Sequence, residues 1–491
     1  MKKVYLVGAG PGDPGLLTLK GKDALAAAEV VLYDNLANPE LLRLAPPSAE
    51  RIYVGKKKSN HALTQEEICE LLVRKASEGK SVVRLKGGDP YIFGRGGEEA
   101  EALVDAGIAF EVIPGVTTPL GVAAYCGVPL THREHTSAVT FVTGHEVEKI
   151  NWERIGHAET LVLFMGLTHV REIARELIAK GKNPKTPAMA VRWATRSGQQ
   201  TITAPLETIA DATDAAQLKP PVTFVIGEVV ALRQKLDWFE KLPLFGKRIV
   251  ITRARDQSAA FSSQLRALGA DTNELPVIAT VPPLDPHPLD EALEQLSSYD
   301  WLIFTSVNGV RYFVERLDAS PYDLRSLRAR VCAIGPATAS AVENLHLKVD
   351  LVPEQYVAES LVESFAPFDL RGTRILLPRA AVARDVVPVD LTRRGAQVNV
   401  VEAYRTVIPP DVSEMVADVF THKPDWITFT SSSTVKNFLA IAGREVLEGV
   451  RIASIGPVTT GTARMHGLRV TAEAGEHTIQ GLVNAIISAE R

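Results

Sequence analysis

The chain is organised around the stretch Val82–Glu99, VVRLKGGDPYIFGRGGEE. An apolar run carrying an arginine and a lysine ends at Gly87-Gly88-Asp89-Pro90. The two glycines let backbone approach a ligand closely, and Pro90 keeps a helix from starting early. A second turn, Gly94-Arg95-Gly96-Gly97-Glu98-Glu99, then opens a helix whose first-turn acids suit the helix dipole. Such a stretch is either a well-capped strand-to-helix connection or a site where backbone amides, a carboxylate and a guanidinium hold a ligand together.

The flanking elements decide what shares that site. Val4–Val7, the loop GAGPGDPG, a helical run Leu16–Ala28 and an apolar run Glu29–Tyr33 ending at Asp34 read as β-loop-α-β. Arg51–Val54 ending at Gly55-Lys56, and a helix Thr64–Glu78 opened by a Thr64/Glu67 capping box, repeat the pattern before the strand Ser81–Leu85. This alternation predicts a parallel sheet whose strand ends gather on one rim, bringing Asp34, Lys56, Asp89 and Arg95 within reach of one another. Gly8 and Gly10 suggest a dinucleotide fingerprint, but Asp13 takes its third glycine position, and Pro11 and Pro14 remove amide donors a pyrophosphate would need. No NAD is expected.

Phe110–Ile113 leads to Pro114-Gly115-Val116-Thr117-Thr118, whose hydroxyls are placed either to cap a helix or to meet a ligand. Beyond His135 the runs Val139–Val142, Thr160–Met165, Ala188–Trp193 and Val222–Ile226 predict a second sheet, with a helix at His169–Lys180. Met165-Gly166 and Ala194-Thr195 offer an apolar floor and backbone groups for a flat ligand. Leu232–Phe245, rich in charge and aromatic residues, serves as a linker that is not floppy in composition.

At 491 residues, with roughly 150 per domain as a guide, three or four compact units are expected. A net charge of −4 disfavours nucleic acid or a membrane surface as partner. Cys69, Cys126 and Cys332 stand far apart without metal or disulfide spacing, which fits a reducing cytoplasm and no metal. The apolar run of MKKVYLVGAGP breaks too early for an export signal.

An internal repeat fills the second half. Gly246–Arg253 resembles Gly372–Arg379, Asp300–Ser306 resembles Asp425–Ser431, and Arg330–Pro336 resembles Arg451–Pro457, at offsets of 126, 125 and 121 residues. Two equivalent α/β units follow. Each repeated strand runs into a polar or glycine turn before a helix: Thr305-Ser306, Gly335 to Thr338, Thr430-Ser431, and Gly456 to Thr459. Helix N-termini with hydroxyls suit substrate carboxylates, although each hydroxyl alone is equally an N-cap.

VYLVGAGPGDPGLLTLKG, VVRLKGGDPYIFGRGGEE, PGVTTPLGVAAYCGVPLTHR, TGH, LVLFMG and TFVIGEVV, in this order, resemble uroporphyrinogen-III C-methyltransferase of the tetrapyrrole methylase family over about Lys2 to Leu232. The resemblance implies two α/β domains forming a cleft in a homodimer, with S-adenosylmethionine as methyl donor. It places Pro11, Gly87, Gly88, Asp89, Ile92, Thr117, Thr118, Met165 and Ala194 around the donor, Asp34 and Lys56 as proton acceptor and donor, and Arg95 with Glu98 at the tetrapyrrole. It offers Arg95 as base, but a guanidinium holds its proton too firmly, so Arg95 reads better as a carboxylate clamp oriented by Glu98. Tyr91, Thr118-Pro119 and Trp193 depart from the family pattern and bear on local shape.

FTSVNGV, AIGPATA, FTSSSTV and SIGPVTT resemble uroporphyrinogen-III synthase over about Gly246 to Ala489. That resemblance implies two domains, about 283–402 and 246–282 plus 403–491, with the first strand and helix swapped across, and makes Tyr404 the residue assisting hydroxyl loss from a linear tetrapyrrole. Together the two halves are expected to be an α/β fusion, a methylase at 1–240 (about 1–134 and 135–240) joined through 241–245 to a synthase at 246–491. It would cyclise hydroxymethylbilane and methylate the product twice to precorrin-2, for siroheme or cobalamin. No counterpart of the Rossmann domain of fused siroheme synthases is present, so neither NAD chemistry nor iron insertion is expected. The competing readings are a methylase for a corrinoid intermediate, an RNA or a protein, and a non-enzymatic two-domain binding module after residue 246.

Overall fold

The computed structural model describes residues 3–55 and 63–491. The chain forms two compact units, one built on Met1–Arg248 and the other on most of the chain from Ile249 onward, with Gln264–Asp271 and Glu490 grouped with the first. Among the described residues no helix is long and apolar enough to cross a membrane.

The first sheet contains β1 (Val4–Gly8), β2 (Val30–Tyr33), β3 (Glu50–Tyr53), β4 (Val82–Lys86) and β5 (Phe110–Ile113) in the order β3-β2-β4-β1-β5. Every pairing is parallel, so all five strands end on one edge. Alternate residues feed two cores: Val7, Leu25, Val31 and Leu85 on one face, and Leu6, Leu32, Leu72 and Leu103 on the other. A parallel sheet covered on both sides needs such near-continuous apolar strands. The helix Gln65–Ser77 begins with the expected capping box, Thr64 Oγ1 accepting from Glu67 N at 3.2 Å while Thr64 N donates to the Glu67 carboxylate at 2.6 Å.

The second sheet contains β6 (Val139–Thr143), β7 (Thr160–Phe164), β8 (Pro187–Arg192), β9 (Gln200–Pro205) and β10 (Val222–Ile226), ordered β6-β7-β10-β8-β9. Only β6 and β7 pair in parallel; β10 runs antiparallel to β7 and β8, and β9 antiparallel to β8. The strand β9 was not expected from the sequence, because QTITAP is half-buried or exposed throughout and has no apolar run.

The segment read as a linker is docked on the first unit. Phe239 is buried and packs its ring against Tyr125 at 4.8 Å and Phe245 at 5.3 Å between centroids, and Trp238 Nε1 donates to Ala124 O at 2.8 Å. The Glu240 carboxylate accepts from Gln199, Thr201 and Arg233 at 2.8, 2.6 and 2.5 Å.

The second unit holds two sheets. One contains β11 (Arg248–Ile251), β12 (Asp271–Glu274), β18 (Trp426–Phe429), β19 (Arg451–Ser454) and β20 (Ala472–Glu473), ordered β12-β11-β18-β19-β20. The other contains β13 (Ala279–Val281), β14 (Trp301–Phe304), β15 (Arg330–Ala333), β16 (Arg374–Ala380) and β17 (Gln397–Val407), ordered β13-β17-β16-β14-β15. The sequence repeat is visible as equal strand order, β11-β18-β19 against β16-β14-β15, with the opening strands exchanged between the repeats. The chain passes between the sheets through an antiparallel pair, Ala279 opposite Val407.

Because Phe239 belongs to the core of the first unit, Phe239→Ala should cost that unit about 3 kcal/mol. Calorimetry should show its unfolding transition lowered with the second unit's left in place; an unchanged first transition would mean the segment is only a tether.

Candidate functional site

At the shared strand edge of the first sheet, three turns touch backbone to backbone. A Cβ on Gly8 would stand 2.5 Å from the Gly115 nitrogen and 2.7 Å from the Gly88 carbonyl oxygen. Gly88, at φ +68°, donates to Gly10 O at 2.8 Å, and Gly10 donates back to Gly88 O at 3.2 Å. Asp89 fastens the assembly: Oδ2 accepts from Gly115 N at 3.0 Å and Oδ1 from Tyr91 N at 2.8 Å. Both oxygens thus already serve the scaffold, and the half-buried carboxylate keeps its remaining lone pairs for a ligand.

Thr117 stands at the N-cap of the helix Thr118–Cys126 but makes no capping bond; its Oγ1 is buried with no hydrogen-bond partner among the described residues. The Thr118 hydroxyl lies 3.3 Å from where a Gly88 Cβ would be. Pro11 packs on Gly121, whose Cβ would come within 2.5 Å of Pro11 Cγ and 3.0 Å of Thr195 Cγ2. Asp13 N donates to Thr195 Oγ1 at 2.9 Å, and the Tyr125 hydroxyl donates to Asp13 Oδ2 at 2.5 Å. Burial first, and Asp13 second, raise the pKa of that phenol, so it keeps its proton. Pro11, Gly88, Asp89, Thr117 and Thr118 therefore converge on one set of turns, with buried Ala194 next to Thr195.

Arg95, Glu98 and Met165 line an adjoining open cavity of about 670 Å³ with Phe93, Thr143 and His145. Arg95 Nε donates to Glu98 Oε1 at 2.9 Å, and both side chains are exposed. Ile92 is exposed beside this cavity. Phe93, Arg95, Met165, Trp193 and Thr195 all hold left-handed backbone, with φ between 51° and 69°. Such strain persists in ordinary residues only where surrounding structure enforces it, and it clusters at functional sites. The sequence singled out neither Thr143 nor His145 as site residues; strand β6 ending at the rim was the available signal.

One expectation from the sequence changes. Glu99 is not a dipole-favoured surface acid: it is fully buried, accepting from Lys86 at 2.7 Å and Arg84 Nε at 3.1 Å, because its helix turn faces the sheet while Glu98 faces out. Asp34 pairs with Arg84, on the strand that leads into the rim, at 3.0 Å. Lys56 lies outside the described residues. His132, Glu134 and His135 hold ligand-type atoms within 4.8 Å of one another on a surface turn, but the Glu134 amide donates to His132 Nδ1 at 3.2 Å, occupying that lone pair.

In the second unit, Ser306 and Ser431 act as N-caps, accepting from Gly309 N at 3.0 Å and Thr434 N at 3.2 Å. Tyr404, on β17, reaches Ser306: the two hydroxyl oxygens are 3.0 Å apart, and the Tyr404 ring stacks on Tyr312 at 5.5 Å. Thr338 and Thr459 are buried, and Thr305 and Thr430 half-buried. Gly335 and Gly456 begin their helices without side-chain caps, close against Tyr356 and His477 respectively. Those two side chains, unremarked in the sequence, share the 121-residue offset of the glycines. Ser306 and Gly335 follow strands of the sheet that holds Tyr404, and Ser431 and Gly456 follow strands of the other.

Two family models match: tetrapyrrole (corrin/porphyrin) methylases over residues 3–210 and uroporphyrinogen-III synthase HemD over residues 259–484. The chain belongs to the tetrapyrrole methylases through its N-terminal half and to the uroporphyrinogen-III synthases through its C-terminal half. It is 35% identical to the porphyrin biosynthesis protein HemD of Ruminiclostridium josui, covering 99% of this chain and 97% of that one. It is also 39% identical to the uroporphyrinogen-III C-methyltransferase of Bacillus subtilis (69% and 71% covered), and 49% identical to a siroheme synthase of Nitrosomonas europaea (48% and 51% covered).

Gly115→Ala places a methyl group on the Gly88 carbonyl and the Gly8 backbone. It should cost about 2 kcal/mol of stability in the first unit, read as a lower urea midpoint at unchanged slope.

Proposed function

We propose that this chain is a bifunctional tetrapyrrole enzyme whose C-terminal half (246–491) cyclises hydroxymethylbilane to uroporphyrinogen III, and whose N-terminal half (1–240) methylates that product twice to precorrin-2. The observation that carries the reading is the loop after β4 in the first unit, which leads from backbone-only turns, beside a Thr117 hydroxyl with no partner among the described residues, through Pro90 into a cavity bearing Arg95, Glu98 and Met165. S-adenosylmethionine, as co-substrate, supplies a methyl group already electrophilic on a sulfonium. The glycine turns, with no room for side chains, and the Thr117 hydroxyl, which has no partner among the described residues, fit a ligand held mainly by main chain. What remains for the protein is alignment and proton removal. Arg95, with a planar fork oriented by Glu98, clamps acetate and propionate carboxylates of the macrocycle. Asp34 accepts a proton and Lys56 donates one, by their match to the family positions.

In the synthase half, Tyr404 assists departure of the substrate hydroxyl as water, and the terminal pyrrole attacks the resulting electrophile to close the ring with that pyrrole inverted. The Ser306 hydroxyl beside Tyr404 supports this assignment. Helix starts at Thr305-Ser306, Gly335-Thr338, Thr430-Ser431 and Gly456-Thr459 hold the carboxylates. The reading includes a homodimer through the methylase half and a cytoplasmic setting, in keeping with three free thiols.

Supplying hydroxymethylbilane and S-adenosylmethionine to the whole chain should yield precorrin-2, and uroporphyrinogen III when the donor is withheld. Formation of only the uninverted isomer would remove the synthase reading; unmethylated type III product in the presence of donor would move the methylase to another acceptor.

Asp89→Ala should weaken donor binding by about tenfold or more in a calorimetric titration. Arg95→Lys should reduce methylation by a similar factor while leaving donor binding alone; nearly intact methylation would exclude bidentate clamping.

A further inference from the structure

Strand β4 carries two cations into the interior. Arg84 and Lys86, two residues apart and so on one face, have side chains 4% and 5% exposed, and Glu99 meets them with none. Glu99 Oε1 accepts from Lys86 Nζ at 2.7 Å, Arg84 Nε at 3.1 Å and Gln65 Nε2 at 3.3 Å. Its Oε2 is buried and has no donor among the described residues. Arg84 gives its other donors to Leu85 O at 2.9 Å and Asp34 Oδ2 at 3.0 Å. Asp34 is where this network surfaces, 23% exposed, with Oδ1 accepting from Leu36 N at 3.0 Å. That turn packs on the site: a Cβ on Gly87 would fall 2.5 Å from Leu36 Cβ.

Stability does not explain the arrangement. Desolvating each ion costs several kcal/mol, and well-packed apolar residues in place of a buried ion network are often neutral or better. Burial pushes the Lys86 amine pKa down, Arg84 pushes it further, and Glu99 opposes both. What the network does supply is geometric: a planar guanidinium fixed through Nε by Glu99 and through Nη1 by the Leu85 carbonyl has its Nη2 aimed at a single carboxylate at the rim.

We propose that Glu99 is a positioning residue that acts through Arg84 to hold Asp34 at the methylation site. The proposal rests on the reading of Asp34 as proton acceptor. It is tested on the full chain by measuring kcat and KM for methylation of uroporphyrinogen III in Asp34→Asn, Glu99→Gln, Arg84→Lys and the two double variants with Asp34→Asn. Glu99→Gln and Arg84→Lys should each lower kcat by about tenfold with KM nearly unchanged, and neither should lower the Asp34→Asn variant further, as expected of residues acting in one unit. A merely structural role would instead reduce folded enzyme, leave kcat per folded molecule intact, and repeat its full effect in the Asp34→Asn background; that result overturns the proposal. Glu99→Gln leaves Lys86 buried without its counter-ion and Arg84 with Asp34 as its one carboxylate among the described residues, so if it does not fold, Arg84→Lys decides: it keeps the charge and loses the fork, and wild-type kcat there overturns the proposal. Wild-type kcat in Asp34→Asn would remove the underlying reading and the proposal with it, whereas an impaired Asp34→Asn beside unimpaired or additive Glu99 and Arg84 variants would remove the proposal alone.

Discussion

The first unit depends on one close approach: the turns after β1, β4 and β5 meet where Gly8, Gly88 and Gly115 leave no room for a side chain. Adjacent parallel strands bring three turns to the same edge, and only main chain can then fill the space between them. Asp89 is needed because the approach leaves the Gly115 amide facing inward, and its carboxylate satisfies that donor. The positions of Thr117, Pro11 and the opening of the helix Thr118–Cys126 follow from that fixed point. A ligand meeting this edge finds backbone already in place, so little ordering is left for binding to bring about.

The second unit reaches a polar rim by different means. Its repeat places a strand, a turn and a helix start in the same order in both sheets, and exchange of the opening strands ties the repeats together. Ser306 and Ser431 each cap their own helix, and the Ser306 hydroxyl also lies 3.0 Å from that of Tyr404. The helices that start at Gly335 and Gly456 instead have no side-chain cap, and the two glycines lie close against Tyr356 and His477. Tyr404 comes from the strand that follows the exchange, so the pseudo-symmetry is broken at the residue assigned to chemistry.

Alternating strands and helices, the Thr64/Glu67 capping box and the repeat offsets were legible in the sequence because each is local or periodic. The convergence of the glycine turns was legible in outline, since parallel strands must end together. Three things were not. Strand β9 lacks an apolar run because only one of its flanks pairs with the sheet. The burial of Arg84, Lys86 and Glu99 hides in residue types that normally signal surface, although two cations spaced by two on a strand otherwise apolar do mark one face. The docking of Trp238 and Phe239 depended on Tyr125 and Ala124, more than a hundred residues away.

The left-handed residues at Phe93, Arg95, Met165, Trp193 and Thr195 set the fold and its chemistry against each other. Each holds about 1 kcal/mol or more of backbone strain that a glycine would relieve. A glycine there would release that strain and at the same time loosen the rim, so local durability and a fixed rim geometry pull in opposite directions at these positions.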